Sequence, residues 1–416
     1  MTQTQIQTCP TEADLASEYQ RRRRLINRAL PWVGLVLGLA AFLSLDLVRS
    51  AAIRRSASRE KLINCGVHDP VRHHAFKPNC TAVYRWGGDS YEFSTNSLGF
   101  RDDSIRQVPL ADPRPRILML GDSMTEGKLA WHNSYVGRIA DHFPQYDFLN
   151  GGVASYSPSN YFNVTRMVLA ARVDIDEVMV FIDISDVQDE ATFYRDADAS
   201  GAVRGPEQES FRVSWWAKTR MRIAGQLMIT NYCLRWLERT LVGHGFYHLT
   251  TGALGDAFDM ERGAWTYRKV NEADSYYDGY APLGVEGGIA REKAKMDRLW
   301  QELAKRNIPI SVVVYPHPAQ VVHDTADSRQ VRMWREWCDG KCKRFVSLFP
   351  AVFSVKEQCP RLEPGCWYLK YFVFGDIHYN TAGNALLADV LIKSLADTPP
   401  VKVPARTKPE RPTTGG

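Results

Sequence analysis

The sequence carries little net charge for its length, because 52 lysines and arginines stand against 47 aspartates and glutamates in 416 residues, a difference of +5. Zinc-finger, RNA-binding and basic-zipper patterns are absent, so nucleic acid is not an expected partner. Much of the basic excess lies near the N-terminus, in Arg21–Arg24 and Arg28, with a second group from Arg54 to Lys61. These groups flank an apolar run, which favours a membrane segment as the reason for the charge.

Long apolar runs are scarce, and residues 29–48 form one of about the 20 residues that a spanning helix needs. Asp46 interrupts it near one end, where a carboxylate costs less than the roughly 2.5–3.5 kcal/mol expected at the helix centre. A cleaved signal peptide is the alternative, with Ser50-Ala51-Ala52 as its cleavage site, but the length of the run favours an uncleaved anchor. The denser arginine cluster at 21–24 predicts a single-pass inner-membrane protein whose catalytic domain is extracytoplasmic.

The C-x-x-C spacing of zinc ribbons is absent from the cysteine pattern, although the chain has eight cysteines. Cys9 precedes the anchor, and six of the others fall into close pairs: Cys65 with Cys80, Cys338 with Cys342, and Cys359 with Cys366. Local pairs of this kind suit disulfides in an oxidising compartment, and a bridge closing residues 65–80 would stabilise by about 3 kcal/mol. A zinc site built from the last four cysteines is the less favoured alternative. Cys233 would stay free and is expected to be buried.

Strand-like and helix-like patterns alternate from about residue 114. The candidate strands are the apolar runs at 116–120, 146–149, 177–184, 309–315 and 344–349. The candidate helices lie at 131–143, 159–172, 289–306, 327–337 and 381–396, the last with a cap at Asn380. Near-continuously apolar strands are buried on both faces, so this alternation predicts an α/β fold, a doubly wound parallel sheet with helices on both faces.

The predicted α/β domain covers residues 63–397. Outside it we expect a cytoplasmic tail at 1–28, the anchor at 29–48, a stalk at 49–62 and a disordered tail at 398–416. Residues 187–285 break the strand–helix rhythm and are interpreted as a mostly helical insertion, with a long helix near 213–242. Its aromatic side chains would either stack on sugar faces or pack the insertion onto the core. They are Trp215, Trp216, Trp236, Trp265, Tyr267, Tyr276 and Tyr277.

The first candidate strand runs directly into Gly121-Asp122-Ser123. Ligands of open α/β sheets bind at the carboxyl ends of the strands, so a serine at this tip is placed as a nucleophile would be. A nucleophilic serine needs a base and a group that orients the base. Asp376 and His378 follow an aromatic apolar segment near the C-terminus, and their alternation puts both side chains on the same side.

Two other strand ends carry candidate oxyanion donors. The strand at 146–149 ends in Asn150-Gly151-Gly152, where glycine lets a backbone N–H approach a developing negative charge. The strand at 177–184 ends in the stretch from Asp183 to Asp186, which includes Ser185. Read as structure alone, the glycines form a βα turn, and Ser185 caps the following segment or bonds a backbone group.

In these blocks the chain resembles the SGNH/GDSL hydrolase superfamily, over roughly residues 90–395 without the insertion. The resemblance implies that Ser123 is the nucleophile, His378 the base and Asp376 its partner, with Gly152 and the Ser123 N–H as oxyanion donors. The stretch Asn96–Arg101 is similar to a lead-in segment of bacterial envelope members of that superfamily.

The match departs from the family in two places. Ser185 stands where the family has an oxyanion asparagine, and a hydroxyl is a shorter donor than an amide. Asp376 and His378 are separated by one residue rather than the commoner two, as in members that resemble alginate and other polysaccharide O-acetyltransferases. The second departure favours a reaction on acyl groups of glycans as the expected chemistry.

The sequence therefore predicts a serine-dependent esterase that acts on acyl, mainly O-acetyl, esters of cell-envelope or secreted polysaccharide. Its partners would be the acylated carbohydrate substrate and the inner membrane, and no cofactor or metal is implied. A polysaccharide O-acetyltransferase using the same three residues is one alternative. A catalytically weak glycan-binding or assembly protein on the same fold is another.

Overall fold

The computed structural model describes residues 12–59, 64–87, 89–196, 201–205, 226–243, 260–267, 280–359 and 364–403. The chain divides into two compact units. The first consists of residues 1–61 with 211–236, and the second of residues 62–210 with 237–416. Of the predicted segments, the first part of the helix expected at 213–242 (residues 213–225) and the aromatic residues Trp215, Trp216, Tyr276 and Tyr277 lie outside the described residues.

The first unit is built on the helix α1 (Glu12–Arg59), which is 48 residues long. Its part Tyr19–Ala52 contains an 18-residue window with a mean hydropathy of 1.9 and is long and apolar enough to cross a membrane or to act as a signal sequence. Within residues 29–48 every side chain is exposed except those of Leu43 and Asp46. Within the described part of the chain, this apolar surface is therefore left largely uncovered.

The second unit begins with short strands. A hairpin joins β1 (Gly66–Asp69) to β2 (His73–Phe76), and β3 (Thr81–Trp86), β4 (Asp89–Thr95) and β5 (Arg101–Asp102) follow. Strands β3, β4 and β5 pair antiparallel and extend the edge of the main sheet.

The remaining strands form the parallel core of that sheet and one small hairpin. They are β6 (Arg116–Leu120), β7 (Asp147–Asn150), β8 (Glu177–Ile182), β9 (Arg195–Asp196), β10 (Val203–Arg204), β11 (Ile310–Val314) and β12 (Cys342–Ser347). The eight-stranded sheet has the order β12-β11-β8-β6-β7-β5-β4-β3, and its first five strands are parallel. The five predicted strand positions are confirmed, each to within two residues at its start.

Register explains why functional residues gather at one edge of this sheet. Met119 of β6 pairs with Asn150 of β7 on one side and with Met179 of β8 on the other. All residues of β6 and β8 are buried, as strands covered on both faces must be. The polar residues that follow the three strands are therefore brought side by side.

Helices cover both faces of the sheet. They are α2 (Ser123–Glu126), α3 (Tyr135–His142), α4 (Pro158–Ala170), α5 (Ile184–Thr192), α6 (Met228–Gly243), α7 (Met260–Tyr267), α8 (Gly284–Ala304), α9 (Pro318–His323), α10 (Arg329–Cys338), α11 (Phe349–Glu357), α12 (Pro364–Tyr371) and α13 (Thr381–Asp397). Helix α8 packs on α4 and α5, whereas α13 packs on α3, α11 and α12. The predicted cap of α13 is confirmed, because Asn380 Oδ1 accepts the N–H groups of Ala382 and Gly383. The fold is α/β, as predicted.

The three expected cysteine pairs are bonded in the structure: Cys65–Cys80, Cys338–Cys342 and Cys359–Cys366. Cys233 is free, as expected, but the expectation that it is buried is wrong. It lies on α6, where its side chain is exposed, as are those of its neighbours Tyr232 and Leu234. Trp265 of the same predicted insertion is fully buried and packs into the core.

Candidate active site

Ser123 lies at the carboxyl end of β6, where the chain turns into α2. Asp122 caps that helix, since its Oδ1 accepts the N–H of Met124 at 2.9 Å. Gly121 permits the tight turn, because a Cβ there would lie only 2.0 Å from Oγ1 of Thr125. As the first helical residue, Ser123 has no intrahelical partner for its N–H. This local structure presents a hydroxyl and a backbone N–H at the same edge of the sheet.

The three residues expected to form a triad are in hydrogen-bond contact. His378 Nε2 lies 2.8 Å from Ser123 Oγ, and His378 Nδ1 lies 2.5 Å from Asp376 Oδ1. An ionised carboxylate only accepts, so Nδ1 carries the proton of the neutral ring, and Nε2 is left as the acceptor for the serine hydroxyl. The hydroxyl also lies 3.2 Å from Asp122 Oδ2. The arrangement allows the imidazole to remove the serine proton.

Backbone bonds hold the loop that carries Asp376 and His378. Val373 N donates to the carbonyl of His378 at 2.9 Å, which closes the loop at its base. Asp376 N donates to the hydroxyl of Tyr368 at 3.0 Å. The hydroxyl of Tyr379 donates at 2.6 Å to a carbonyl just beyond β11. These bonds hold the loop against the sheet and so fix the position of the imidazole.

His378 also sets the charge of its partner. Burial by itself would raise the pKa of Asp376, but the hydrogen bonds and positive charge of His378 outweigh burial and hold this pKa below its usual value. Asp376 is therefore ionised at neutral pH. An ionised carboxylate at this position stabilises the imidazolium that forms when the ring takes up a proton.

Gly152 packs directly against the helix that begins with Ser123. A Cβ at Gly152 would lie 2.7 Å from the backbone nitrogen of Glu126, so only glycine fits. The Asn150 side chain fixes this approach, because its Nδ2 donates to the carbonyl of Thr125 at 2.8 Å. Its Oδ1 accepts the N–H of Gly152 at 3.0 Å. Gly152 is thus packed against the helix that begins at Ser123, and its N–H is bound to an amide oxygen.

The Ser185 side chain points elsewhere than expected. Its hydroxyl and its backbone N–H both donate to Asp183 Oδ1 at 2.6 Å. The other oxygen of Asp183 lies 2.8 Å from His317 Nε2. Burial opposes ionisation of Asp183, but the charge and hydrogen bond of His317 outweigh it and lower the pKa of this carboxyl. Ser185 is therefore part of a buried hydrogen-bond network with Asp183 and His317 at the start of α5, and its hydroxyl proton is given to Asp183.

A second buried carboxylate, that of Asp122, lies beside the Ser123 hydroxyl. Burial and the negative charge of Asp183 raise the pKa of Asp122 to about 6, although the N–H of Met124 and other contacts act in the opposite direction. The hydroxyl of Tyr315, just beyond β11, donates to Asp122 Oδ1 at 2.9 Å. Asp122 thus joins the ends of β6 and β11 as well as capping α2.

Arg101, from the lead-in segment, supports the loop after α2. Its guanidinium is buried and donates to the carbonyls of Glu126, Gly127 and Leu129. Burial lowers the pKa of Arg101 to about 10, so it stays charged at neutral pH. The lead-in motif singled out Arg101 in the sequence, but it did not predict which backbone carbonyls its side chain would bind.

A cavity of about 1140 Å³ is lined by residues of β1 to β4 and β10, by the end of α2 with Lys128, and by the loop after β7. Ser123, Asp376 and His378 are not among the residues that line it. Trp86 is part of its wall, and the centroid of its ring lies 5.1 Å from that of His378 in an edge-on arrangement. Lys128 Nζ lies 5.5 Å from the Trp86 centroid and 2.5 Å from Glu126 Oε1. The sequence pattern did not identify Trp86, because a hairpin residue gives no local sign of its distant neighbour.

Neither a family model nor a curated relative matches this sequence. Solved structures with a similar chain path include a mutant of Axe2, an acetylxylan esterase from Geobacillus stearothermophilus, at 12% identity and a TM-score of 0.37. That match covers 72% of this chain and 100% of the other. LAE5, an alpha/beta hydrolase from the metagenome of Lake Arreo, Spain, has 13% identity and a TM-score of 0.34 over 70% of this chain and 97% of its own. Similarity at this level carries no argument about activity, which depends on the site itself.

The raised pKa of Asp122 predicts a pH-dependent effect of Asp122→Asn on stability. Between about pH 4 and pH 6 the folded protein keeps a proton that the unfolded chain has lost, so the free energy of unfolding falls as pH rises. The asparagine does not titrate. As pH rises from about 4 to 7, the range over which Asp122 loses its proton, the melting temperature of Asp122→Asn should therefore rise relative to that of wild type. A difference that does not change with pH would contradict the assignment.

The position of Ser185 predicts an effect of Ser185→Ala on stability rather than on rate. Removing one hydrogen bond to a buried carboxylate should lower the free energy of unfolding by about 1.5–3 kcal/mol. Ester turnover by the folded variant should stay within about threefold of wild type, because a directly lost oxyanion donor would instead cost 10²–10³-fold. Thermal melting and initial rates of the same preparation measure both quantities. A 10²–10³-fold loss of rate at unchanged melting temperature would instead show that Ser185 donates directly to the oxyanion.

Proposed function

We propose that this protein is a membrane-anchored serine esterase of the SGNH type whose catalytic domain is extracytoplasmic. The observation that carries the proposal is the continuous chain of hydrogen bonds from Ser123 Oγ through His378 to Asp376. Support for the location comes from the apolar helix Tyr19–Ala52 and the three disulfides, which suit an oxidising compartment.

In the proposed reaction Ser123 Oγ attacks the carbonyl carbon of an ester, and His378 Nε2 takes the hydroxyl proton. The negative charge that develops on the carbonyl oxygen is stabilised by the N–H groups of Ser123 and Gly152, the latter exchanging its bond to Asn150 for the stronger charged acceptor. The tetrahedral species then expels the alcohol, which receives the proton from His378. Water attacks the acyl-serine by the same steps in reverse, and Asp376 stabilises the imidazolium in both halves.

The proposed substrate is an acyl ester, mainly an O-acetyl ester, of a carbohydrate. The cavity beside His378 supports a bulky substrate, and Trp86 and Tyr84 in its wall offer the aromatic faces on which sugar rings stack. Lys128 and Arg85 add hydrogen-bond donors for hydroxyl or carbonyl oxygens. The large volume contrasts with the small size of an acetyl group, so the cavity is proposed to take the alcohol part of the ester.

O-acyl transfer to a sugar hydroxyl is a second candidate function. It is favoured by the single residue between Asp376 and His378, the spacing found in members that resemble polysaccharide O-acetyltransferases. Only the second half of the reaction differs, since the sugar hydroxyl replaces water as the acceptor of the acyl group. Release of acetate against formation of acetylated oligosaccharide, measured from one acetyl donor, separates the two functions.

Loss of either reacting side chain should abolish turnover of p-nitrophenyl acetate. Ser123→Ala removes the nucleophile and His378→Ala the base, and because a triad acts as a unit each single change should cost about 10³-fold or more in kcat. Initial rates on the full-length protein in detergent measure the effect, and melting temperatures show that the variants are folded.

Two surface substitutions serve as matched controls. Ser354 and His132 are exposed, so Ser354→Ala and His132→Ala should leave the rate unchanged. Wild-type turnover by Ser123→Ala would contradict the mechanism. No turnover by wild type on any acyl ester would favour the glycan-binding alternative.

A further inference from the structure

Asp46 is a buried carboxylate inside the apolar run 29–48. Its side chain is 1% exposed, whereas nearly all of its neighbours on α1 face outwards. A charged group in a membrane helix is costly unless it is paired, so its partners indicate what it does. Only two residues separate it from the end of the run, which places it at the boundary between the apolar layer and the headgroups.

The partners of Asp46 are the first residues of α6. Its Oδ1 accepts the N–H of Ile229 at 3.0 Å, and its Oδ2 accepts the N–H and the hydroxyl of Thr230 at 2.7 and 2.6 Å. Ser50, one turn further along α1, donates to Asp46 at 2.9 Å and accepts the N–H of Met228 at 2.9 Å. Two side chains of α1 thus satisfy three of the four free N–H groups at the start of α6.

This contact fixes the depth of α6. Because Asp46 caps the helix from within the apolar run, the first turn of α6 lies at the same level as the end of that run. A helix start joined to α1 by four hydrogen bonds cannot lie far out in the aqueous phase. The exposed side chains that follow on α6 are therefore placed next to lipid.

The exposed residues of this stretch have the chemistry of a membrane interface. Met228, Tyr232 and Trp236 recur at four-residue intervals, so they share one face of α6, and their exposures are 38%, 73% and 62%. Tyrosine and tryptophan are enriched where the apolar layer meets the headgroups, since each has an apolar ring and a polar tip. Leu234 is 55% exposed on another side of the helix.

We propose that residues 228–236 of α6 are a second membrane-binding segment, docked in the outer boundary of the bilayer that α1 crosses and held there by Asp46. The face formed by Met228, Tyr232 and Trp236 contacts lipid. Asp46 is then a positioning residue for this segment, and the interruption of the apolar run has a structural purpose. The inference does not depend on the proposed esterase activity.

Cys233 supplies a natural reporter for the test. It is a free thiol on α6, next to Tyr232 and exposed, so an environment-sensitive nitrobenzoxadiazole label can be attached there in a Cys9→Ser background. The full-length protein is reconstituted in vesicles of phosphatidylcholine and phosphatidylglycerol. Quenching by doxyl-labelled lipid and by aqueous iodide is compared with that of the same label at Ser354→Cys, an exposed position on α11.

The proposal predicts blue-shifted emission at Cys233, quenching by doxyl lipid and loss of iodide quenching, with the opposite pattern at position 354. Thr230→Val, which removes the hydroxyl that reaches Asp46, and Asp46→Asn should shift the Cys233 label towards water. Thr230→Ser keeps the hydroxyl and should leave the label in lipid. Iodide quenching at Cys233 equal to that at position 354 would overturn the proposal. Protection from iodide without lipid quenching, growing with protein density, would overturn it in favour of a second copy of the chain.

Discussion

The parallel register of β6, β7 and β8 is the constraint on which the site depends. Because Met119 pairs with both Asn150 and Met179, the residues after these strands meet at one edge. Gly121, Asp122 and Ser123 then stand beside the glycines after β7 and the aspartate after β8. A shift of one residue in either pairing would move each side chain of the strand to the opposite face of the sheet and would separate Ser123 from its neighbours.

Carboxylates buried at that edge are hydrogen-bonded to groups of other elements. Asp122 joins α2 to Tyr315, and Asp183 joins α5 to His317, so each carboxylate connects two strand ends. The Arg101 guanidinium, on β5, holds the end of α2 and the following loop by donating to their carbonyls. Since a buried polar group without a partner is costly, these connections specify one arrangement of the loops and keep Ser123 within reach of His378.

Features encoded by local pattern could be predicted from the sequence, and features that depend on distant contacts could not. Apolar runs predicted the five parallel strands, and the Asn380 cap, the cysteine pairs and the proximity of Asp376 to His378 followed from short spacings. Ser185 was expected to donate to an oxyanion only because it stands at the position of the family's asparagine. In the structure its hydroxyl donates to Asp183, and the second oxygen of Asp183 is bound by His317, which is distant in the sequence. Trp86 and the exposure of Cys233 likewise depend on how separate segments pack.

The central claim is that Ser123 forms a covalent acyl intermediate, and peptide mass spectrometry of the acid-quenched protein tests it most directly. Full-length protein mixed with p-nitrophenyl acetate and quenched during turnover should carry one acetyl group on Ser123, in the peptide that contains Gly121 and Asp122. The adduct should disappear as substrate is exhausted, because water or a sugar hydroxyl removes the acyl group through His378. Continued turnover with Ser123 unmodified in every quenched sample, or with the acetyl group on another side chain, would contradict the account.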